Sequence, residues 1–521
     1  MNLISRIMTV GGFTLLSRIF GLVRDFLMAR YLGAGMAADA FFIAFKLPNF
    51  FRRLFAEGAF STAFVPLFSR ALGKDITPES QAAAEAFAGR VFSWLLPVLI
   101  LLLIVMELAM VPVMLGLTGG FDNSTPEKFD LVVELGRYTF PYLVLISIVS
   151  FYAGMLNAVG RFSAAAFAPV ILNIFMIAAL LGFNETEAQA ARMLAGAVSL
   201  SGLAQMLLLY ASVKRAGLNL TLPKPHLSDD VRELLRIMAP AAIGAGVMQI
   251  NLLADVVIAA RLLPEGSVSW LFYADRLAQL PLGVIGIAAG TVLLPSISRL
   301  LSADDDAGAA REQNRALEFT MLLTLPAAAA LATISLPLIA TIFERGAFLA
   351  VDTLATSAAL FAYAFGLPAY VIQKILTPGY FARKDTKTPV IYAAISLVTN
   401  LILNLILIRY FAHVGLAIAT AIAAWLNVAL LYFGLSRRGH FKVELRTIKA
   451  MIRHVAASAA MIAALYSTES FYIPYFAEDG LMRILALGGV VTLGASLYFL
   501  ILSIIGGLKL SQIRLMLKRA P

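Results

Sequence analysis

Charged side chains interrupt the first apolar stretch of the sequence, where they are rare. Arg18, Arg24 and Asp25 all lie within it. Arg18 and Asp25 are seven residues apart, so on a helix they share a face with about 10 Å between them, and Arg24 lies on a neighbouring flank. An ionisable side chain at the centre of a spanning helix costs at least about 2.5–3.5 kcal/mol. We expect these side chains to line a polar cavity; snorkelling or a structural ion pair is the alternative, and it is the natural explanation for Arg30 and Lys46.

The second apolar segment carries charges between two helix-breaking residues. Its notable positions are Asp39, Pro48, Asn49, Arg52, Arg53, Glu57 and Gly58. An interrupted helix frees backbone groups, which are tolerated inside a membrane only where protein or water satisfies them. Arg52 and Arg53 point about 100° apart, so at most one faces a cavity squarely, and we favour Arg52. A pair between Arg53 and Glu57 is the alternative for these two residues.

A third charged group, Asp275 and Arg276, follows Ser269 in a later apolar segment. Guanidinium groups are always charged and bind phosphate oxygens with two hydrogen bonds, so several of them around one cavity predict a substrate that bears phosphate. A cavity for cationic drugs should show the opposite sign. The four arginines of the predicted cavity are Arg18, Arg24, Arg52 and Arg276.

Membrane-spanning helices must position these side chains. The chain has 521 residues, of which 60% are hydrophobic and 14% charged, whereas soluble domains are about half apolar and a quarter charged. A backbone that crosses about 30 Å of hydrocarbon must be helical to satisfy its own hydrogen bonds. The sequence therefore predicts an all-α integral membrane protein. We place fourteen spans at 7–32, 36–69, 88–115, 134–157, 163–183, 188–212, 236–261, 268–298, 316–344, 354–381, 389–409, 413–435, 450–473 and 482–506.

The basic residues indicate the orientation of these spans. With the N-terminus inside, lysine and arginine are about three times as frequent beside the cytoplasmic ends as beside the opposite ends, as the positive-inside rule requires for an even number of spans. Both termini are then cytoplasmic. The net charge of +10 is a topology signal and does not indicate nucleic-acid binding.

Two parts of the chain repeat each other. Residues 29–33 correspond to 260–264, and residues 65–70 to 294–299. The offset spans six predicted helices, so two parallel lobes should be related by an axis along the membrane normal. We predict an N-lobe of helices 1–6 (1–215), a C-lobe of helices 7–12 (216–440), and helices 13–14 with a cytoplasmic tail (441–521).

No constellation in the sequence predicts an enzyme. There is no cysteine, and the four histidines are too scattered to predict a metal site. Walker, dinucleotide-binding and zinc-protease motifs are missing from the sequence. We therefore predict a transporter without a cofactor, driven by an ion gradient, the membrane potential or the substrate gradient.

Several of these segments resemble one family. Residues 17–25, 39–42, 52–60, 273–277 and 387–390 are similar to the MurJ (MviN) lipid II flippases of the MOP exporter superfamily, and the resemblance covers essentially the whole chain. It implies two six-helix lobes in a V, alternating access, and a groove for the lipid tail on helices 13 and 14. It also implies transfer of an undecaprenyl-pyrophosphate-linked peptidoglycan precursor from the cytoplasmic to the periplasmic leaflet of the bacterial inner membrane.

The resemblance also assigns site residues. The family's cavity arginines match Arg18, Arg24, Arg52 and Arg276, with Asp25 and Asp39 as acidic companions. A sodium site known in some members matches Asp255, Asn400, Asn404 and Thr420, where Asn404 replaces a carboxylate, so coupling to sodium, to protons or to the membrane potential stays open.

Partners and rival functions follow from the same resemblance. The implied partners are lipid II and membrane lipids, with contacts to the cell-wall synthesis machinery, and the expected functional form is a monomer. A flippase for O-antigen or another polysaccharide-lipid is the first alternative, since it would share the architecture. A multidrug exporter, which the cationic cavity disfavours, and a polyprenyl transferase are the others.

Overall fold

The protein is predominantly helical in the part of the chain that the structure describes. A computed structural model describes residues 3–53, 60–73, 75–121, 126–182, 185–476 and 480–507, and within these ranges it contains α-helices and no strand. The chain divides into two compact units, Met1–Ser269 with Arg345–Phe348, and Trp270–Glu344 with Leu349–Pro521. The predicted lobe boundaries at residues 215 and 440 stay predictions.

The first unit contains ten helices within its described residues, and long apolar helices alternate in it with short ones. They are α1 (Leu3–Leu32), α2 (Met36–Phe51), α3 (Ser61–Leu72), α4 (Pro78–Leu108), α5 (Met110–Thr118), α6 (Pro126–Thr139), α7 (Pro141–Ala158), α8 (Ser163–Leu181), α9 (Glu187–Arg215) and α10 (Asp229–Leu262).

The second unit contains the remaining described helices. They are α11 (Ser267–Ser302), whose first residues belong to the first unit, α12 (Asp306–Thr333), α13 (Ser335–Phe343), α14 (Ala350–Phe381), α15 (Lys387–Arg437), α16 (Leu445–Ser467), α17 (Glu469–Phe476) and α18 (Leu481–Ile504).

These helices agree with a polytopic membrane protein. Nine stretches of the described chain are long and apolar enough to cross a membrane. Helix α4 has an exposed apolar face. Val98, Leu101, Val105 and Leu108 follow this face and are 50–80% exposed. A face of this kind is stable against lipid and not against water. The count of fourteen spans stays a prediction.

Helix α15 covers two of the predicted spans. It has 51 residues, and Ala412 interrupts it with a backbone φ of 48° and ψ of −131°. This position lies between the predicted spans 389–409 and 413–435. The break therefore divides one apparent helix into two segments at the predicted connection.

Aromatic packing fixes the interior of the first unit. The Phe64 ring of α3 stacks on Phe68 and Phe87, with ring centroids 5.6 and 5.7 Å apart, and contacts Phe151 at 4.9 Å. Gly154 of α7 permits this approach, since a β-carbon there would lie 2.9 Å from the Phe64 ring. Such ring pairs add about 0.5–1.5 kcal/mol each to the burial of their area.

The turn between α14 and α15 holds an ionised carboxylate. Asp385 accepts hydrogen bonds from the Thr388 hydroxyl at 2.6 Å, from the Thr388 N–H at 3.0 Å and from Arg438 at 2.7 Å. These bonds, those from Thr388 first, lower the pKa of Asp385 to about 2. The turn at this end of the second unit is therefore stabilised by a group that loses its charge only in strong acid.

Candidate functional site

Arg24 of α1 forms a buried ion pair with its sequence neighbour. Its guanidinium donates two hydrogen bonds to one oxygen of Asp25, from Nη2 at 2.6 Å and from Nε at 3.0 Å. The Arg24 residue is 9% exposed and Asp25 is fully buried. Because the attraction and the hydrogen bonds coincide in a low-dielectric setting, this pair is held much more firmly than one at a surface.

Asn173 of α8 fixes the other side of the Arg24 guanidinium. Arg24 Nη1 donates to Asn173 Oδ1 at 3.0 Å, and Asn173 Nδ2 donates to the Ser17 carbonyl oxygen at 3.0 Å. Asn173 is 5% exposed, so it joins α1 to α8 through a buried bridge. Asn173 is not among the site residues that the sequence predicts. Its only signal was an amide inside an otherwise apolar span.

Arg18 lies six residues before Arg24 on α1 and is half-buried. It belongs to the same unit as Arg24, Asp25 and Asn173. The first apolar stretch therefore supplies one arginine that is fixed by a carboxylate and an amide, and a second one that remains partly accessible.

The Asp39 carboxylate of α2 accepts four hydrogen bonds within the first unit. Its Oδ1 accepts the Ser269 hydroxyl at 2.7 Å and the Ser269 N–H at 3.0 Å. Its Oδ2 accepts the Gly266 N–H at 2.8 Å and Lys128 Nζ at 3.2 Å. Asp39, Lys128 and Ser269 are 2%, 4% and 0% exposed. We call these four residues the Asp39 cluster.

The Asp39 carboxylate acts as the cap of α11. The first N–H groups of a helix lack partners within the helix, and an anion beside them is stabilised by the helix dipole. Lys128, which also lies 3.8 Å from Glu265 and 4.5 Å from the Phe121 ring centroid, neutralises the carboxylate. Asp39 and Ser269 were predicted to face the substrate. In this structure they bind each other, and their role toward a substrate stays a prediction.

Pro48 lies inside α2, which continues to Phe51, so the predicted break at this proline is reduced to the loss of one helical hydrogen bond. Proline has no N–H, so Pro48 leaves the Ala44 carbonyl without its helical donor. The Thr139 hydroxyl of α6 donates to that oxygen at 3.2 Å. A neighbouring helix thus satisfies the freed group, as the interior of a membrane protein demands.

The predicted charges after Pro48 lie at the end of α2. Arg52 Nε donates to Asn49 Oδ1 at 3.1 Å; Arg52 is half-buried and Arg53 is exposed. The preference for Arg52 as the inward-facing residue stays a prediction. Glu57 and Gly58 lie outside the described residues.

Asp275 and Arg276 belong to the second unit and lie half-buried on α11. Gln279 donates a hydrogen bond to Asp275, and both Asp275 and Arg276 have further interactions. Their predicted convergence with the arginines of the first unit stays a prediction.

The positions matched to a sodium site form a ladder of amides in the second unit. Asn404 Nδ2 donates to Asn400 Oδ1 at 3.1 Å, Asn400 Nδ2 donates to Thr420 Oγ1 at 3.3 Å, and Thr420 donates to the Leu416 carbonyl at 2.8 Å. Two of the oxygens that would face a cation, Asn400 Oδ1 and Thr420 Oγ1, therefore each accept an N–H group. Asp255, the one acid of the predicted set, is half-buried on α10 of the first unit.

The sequence of this chain is similar to those of known proteins along essentially its whole length. A family model described as lipid II flippase MurJ matches residues 28–488. The chain belongs to the MurJ family. A relative from Rhizobium meliloti (strain 1021), called probable lipid II flippase MurJ, is 44% identical over 100% of this chain and 97% of its own. A relative from Burkholderia cenocepacia, called lipid II flippase MurJ, is 35% identical over 97% of this chain and 98% of its own.

Solved structures agree with membership of the MurJ family. A structure of lipid II flippase MurJ in an inward closed conformation has a TM-score of 0.78 and 28% identity, and covers 95% of this chain and 98% of its own. An inward-facing multidrug transporter of the MATE family has a TM-score of 0.67 at 18% identity, with 82% of this chain and 97% of its own covered, and shows the fold alone. The predicted all-α fold of the MOP superfamily is confirmed.

Proposed function

We propose that this protein is a lipid II flippase, which carries the undecaprenyl-pyrophosphate-linked peptidoglycan precursor from the cytoplasmic to the periplasmic leaflet. The observation that carries this proposal is the combination of MurJ family membership with arginines placed inside apolar helices. Arginine inside a membrane is maintained only where it has a buried partner or a polar ligand.

The pyrophosphate of the substrate is the group that these arginines bind. Arg18, Arg52 and Arg276 are half-buried, which leaves part of each side chain accessible to a ligand. Arg24 differs because Asp25 and Asn173 already hold it. Its forked guanidinium is thereby oriented in advance, and a pyrophosphate that approaches Arg24 competes with Asp25 for the same N–H groups.

The proposed setting is the bacterial inner membrane with both termini cytoplasmic. Multiple apolar helices and MurJ membership support a multi-pass membrane protein, and the excess of basic residues on one side supports the orientation. Lipid II is the proposed substrate. A monomer is the proposed functional form, with contacts to the cell-wall synthesis machinery as a further proposal.

The proposed driving force is the membrane potential and not a sodium gradient. Sodium and other hard cations require several oxygen ligands, usually with carboxylates among them. In the amide ladder, the Asn400 and Thr420 oxygens accept N–H groups instead, so these two side chains do not fit a sodium ion as they are arranged. The potential is negative inside and favours outward transfer of an anion.

The test is replacement of single arginines in a strain depleted of its own flippase. Arg24→Ala and Arg52→Ala are expected to abolish growth and to lower outer-leaflet lipid II at least about tenfold, since each removes charge-assisted hydrogen bonds to phosphate. Arg437→Ala is the matched control, because Arg437 is an exposed arginine at the end of α15. Its growth should equal wild type.

Membrane insertion is measured in parallel with a C-terminal reporter. Normal growth and normal outer-leaflet lipid II with both Arg24→Ala and Arg52→Ala would contradict the pyrophosphate role. Loss of growth with outer-leaflet lipid II unchanged would contradict the flippase function itself.

A further inference from the structure

One end of the first unit contains a cleft that the proposed transport function does not use. It has a volume of about 240 Å³ and lies where several helices end. Thr9 near the start of α1, Arg161 and Ser163 in the turn from α7 to α8, and Ser212 and Arg215 at the end of α9 all line it. Helix ends that meet at one side of a membrane protein lie close to the lipid headgroups.

The turn that carries Arg161 has a fixed backbone. Gly160 adopts a left-handed conformation with φ of 74°, and the Arg161 N–H donates to the Leu156 carbonyl at 2.8 Å. This pattern ends α7 with a glycine-based cap. Arg161 Nη1 then donates to the Arg215 carbonyl at 3.0 Å, which ties the turn to the end of α9. The guanidinium is thus oriented while its other N–H groups remain available.

The charge of the cleft has no carboxylate partner among the described residues. Arg161 and Arg215 are both exposed, and within the described part of the chain no carboxylate lies within 4 Å of either guanidinium. Two other arginines on the side predicted to be cytoplasmic do have carboxylate partners, since Arg70 pairs with Glu233 at 2.9 Å and Arg383 with Asp306 at 2.6 Å.

We propose that this cleft binds the phosphate headgroup of an anionic glycerophospholipid in the cytoplasmic leaflet. Two guanidinium groups without carboxylates favour a phosphate, and basic pockets between helices on the cytoplasmic side recognise such headgroups. Leu156 and Phe162 line the same cleft and provide apolar surface for the lipid beyond its phosphate. The assignment to the cytoplasmic leaflet rests on the orientation proposed above.

The size of the cleft separates this ligand from the transported lipid. Sites that enclose a drug-sized ligand measure about 300–1,000 Å³. A cleft of about 240 Å³ accommodates a glycerol phosphate and is too small for a pyrophosphate with its sugars and peptide. This size favours a membrane lipid of the leaflet over the transported lipid as the ligand of the cleft.

The experiment compares lipid binding by the purified full-length protein and two double variants. Short-chain phosphatidylglycerol is titrated, and the bound lipid is counted by native mass spectrometry. Arg161→Gln with Arg215→Gln is expected to weaken the tightest binding about thirtyfold, given the contribution of each basic residue beside an anionic lipid. Arg299→Gln with Arg437→Gln removes the same charge from exposed arginines of the second unit and should leave that binding unchanged.

Two further ligands identify the source of the phosphate. Phosphatidylcholine, which has no net charge, should bind much more weakly, and inorganic phosphate should not displace phosphatidylglycerol at equal concentration. Displacement by inorganic phosphate would overturn the assignment to a lipid. Equal binding of phosphatidylglycerol by wild type and by the glutamine variant would overturn the site.

A lysine variant separates binding from folding. Arg161→Lys with Arg215→Lys keeps the charge and loses the planar fork, so it should melt like wild type and bind phosphatidylglycerol severalfold more weakly. Unchanged affinity in this variant would overturn the proposed binding of the phosphate by the planar guanidinium groups of Arg161 and Arg215.

Discussion

Removal of Asp39 or of Lys128 should have unequal effects on stability, although the two residues form one ion pair. Asp39→Ala leaves the Lys128 ammonium 4% exposed, with Glu265 at 3.8 Å as its remaining carboxylate, and deprives the start of α11 of its cap. Loss of one partner of a buried pair costs about 3–5 kcal/mol. Lys128→Met leaves the carboxylate with three hydrogen bonds, two from Ser269 and one from Gly266. We expect this change to cost about 1–3 kcal/mol.

The double variant distinguishes a coupled pair from two independent contacts. Since Lys128→Met removes the ammonium that Asp39→Ala would strand, the double variant should be less destabilised than the sum of the single variants, by about 1–3 kcal/mol. The measurement is the thermal midpoint of the detergent-purified proteins, followed by intrinsic fluorescence and by aggregation. Glu265→Gln is the control, because Glu265 contacts Lys128 only at 3.8 Å and should matter little. Additive effects, or a larger loss from Lys128→Met than from Asp39→Ala, would refute the assignment of the Asp39 carboxylate as the centre of this cluster.

Three other outcomes follow from single contacts. Arg24→Lys should insert normally and fail to support growth of a depleted strain, because one ammonium cannot replace a fork shared between two acceptors; full growth would contradict this. Gly154→Ala should lower the melting temperature by the equivalent of about 1–3 kcal/mol, since its β-carbon would lie 2.9 Å from the Phe64 ring, whereas Gly488→Ala, with no atom within 4 Å, should not. Asp385→Asn should destabilise the protein above about pH 4, the unfolded pKa of aspartate. Because the pKa of Asp385 in the folded protein is lowered to about 2, this difference should shrink as the pH falls toward 2, and a difference independent of pH would contradict it.

The sequence predicted the class of the fold well, because apolar runs report directly on spanning helices. It placed helix ends less well. α4 begins at Pro78 and α10 at Asp229, ahead of the predicted starts at 88 and 236. The additional turns are rich in charged and polar residues that form helix readily outside the membrane, and hydropathy does not register them.

The charged positions of the candidate site were visible in the sequence, but their partners were not. Arg24 and Asp39 stand out as charges within apolar runs. Asn173 and Lys128 contact them across 149 and 89 residues of sequence, a separation that helical periodicity does not address. The predicted spans 88–115 and 134–157 place Lys128 in the connection before the fourth span. Its only distinguishing signal was that few basic residues occur on that side of the predicted membrane.

The pairing of Arg24 with Asp25 determines which residues feel the membrane voltage. An ion pair whose charges sit 2.6 Å apart is a dipole with no net charge, so displacing it through the membrane field performs almost no electrical work. Only net charge couples, at up to about 2.3 kcal/mol per charge per 100 mV when the whole field is crossed. Arg24 therefore contributes no gating charge to the empty carrier while Asp25 holds it. A pyrophosphate that takes the arginine away from Asp25 leaves the summed charge of Arg24 and Asp25 at zero, so the voltage sensitivity that this pair adds to the loaded carrier is set by the charge of the substrate alone.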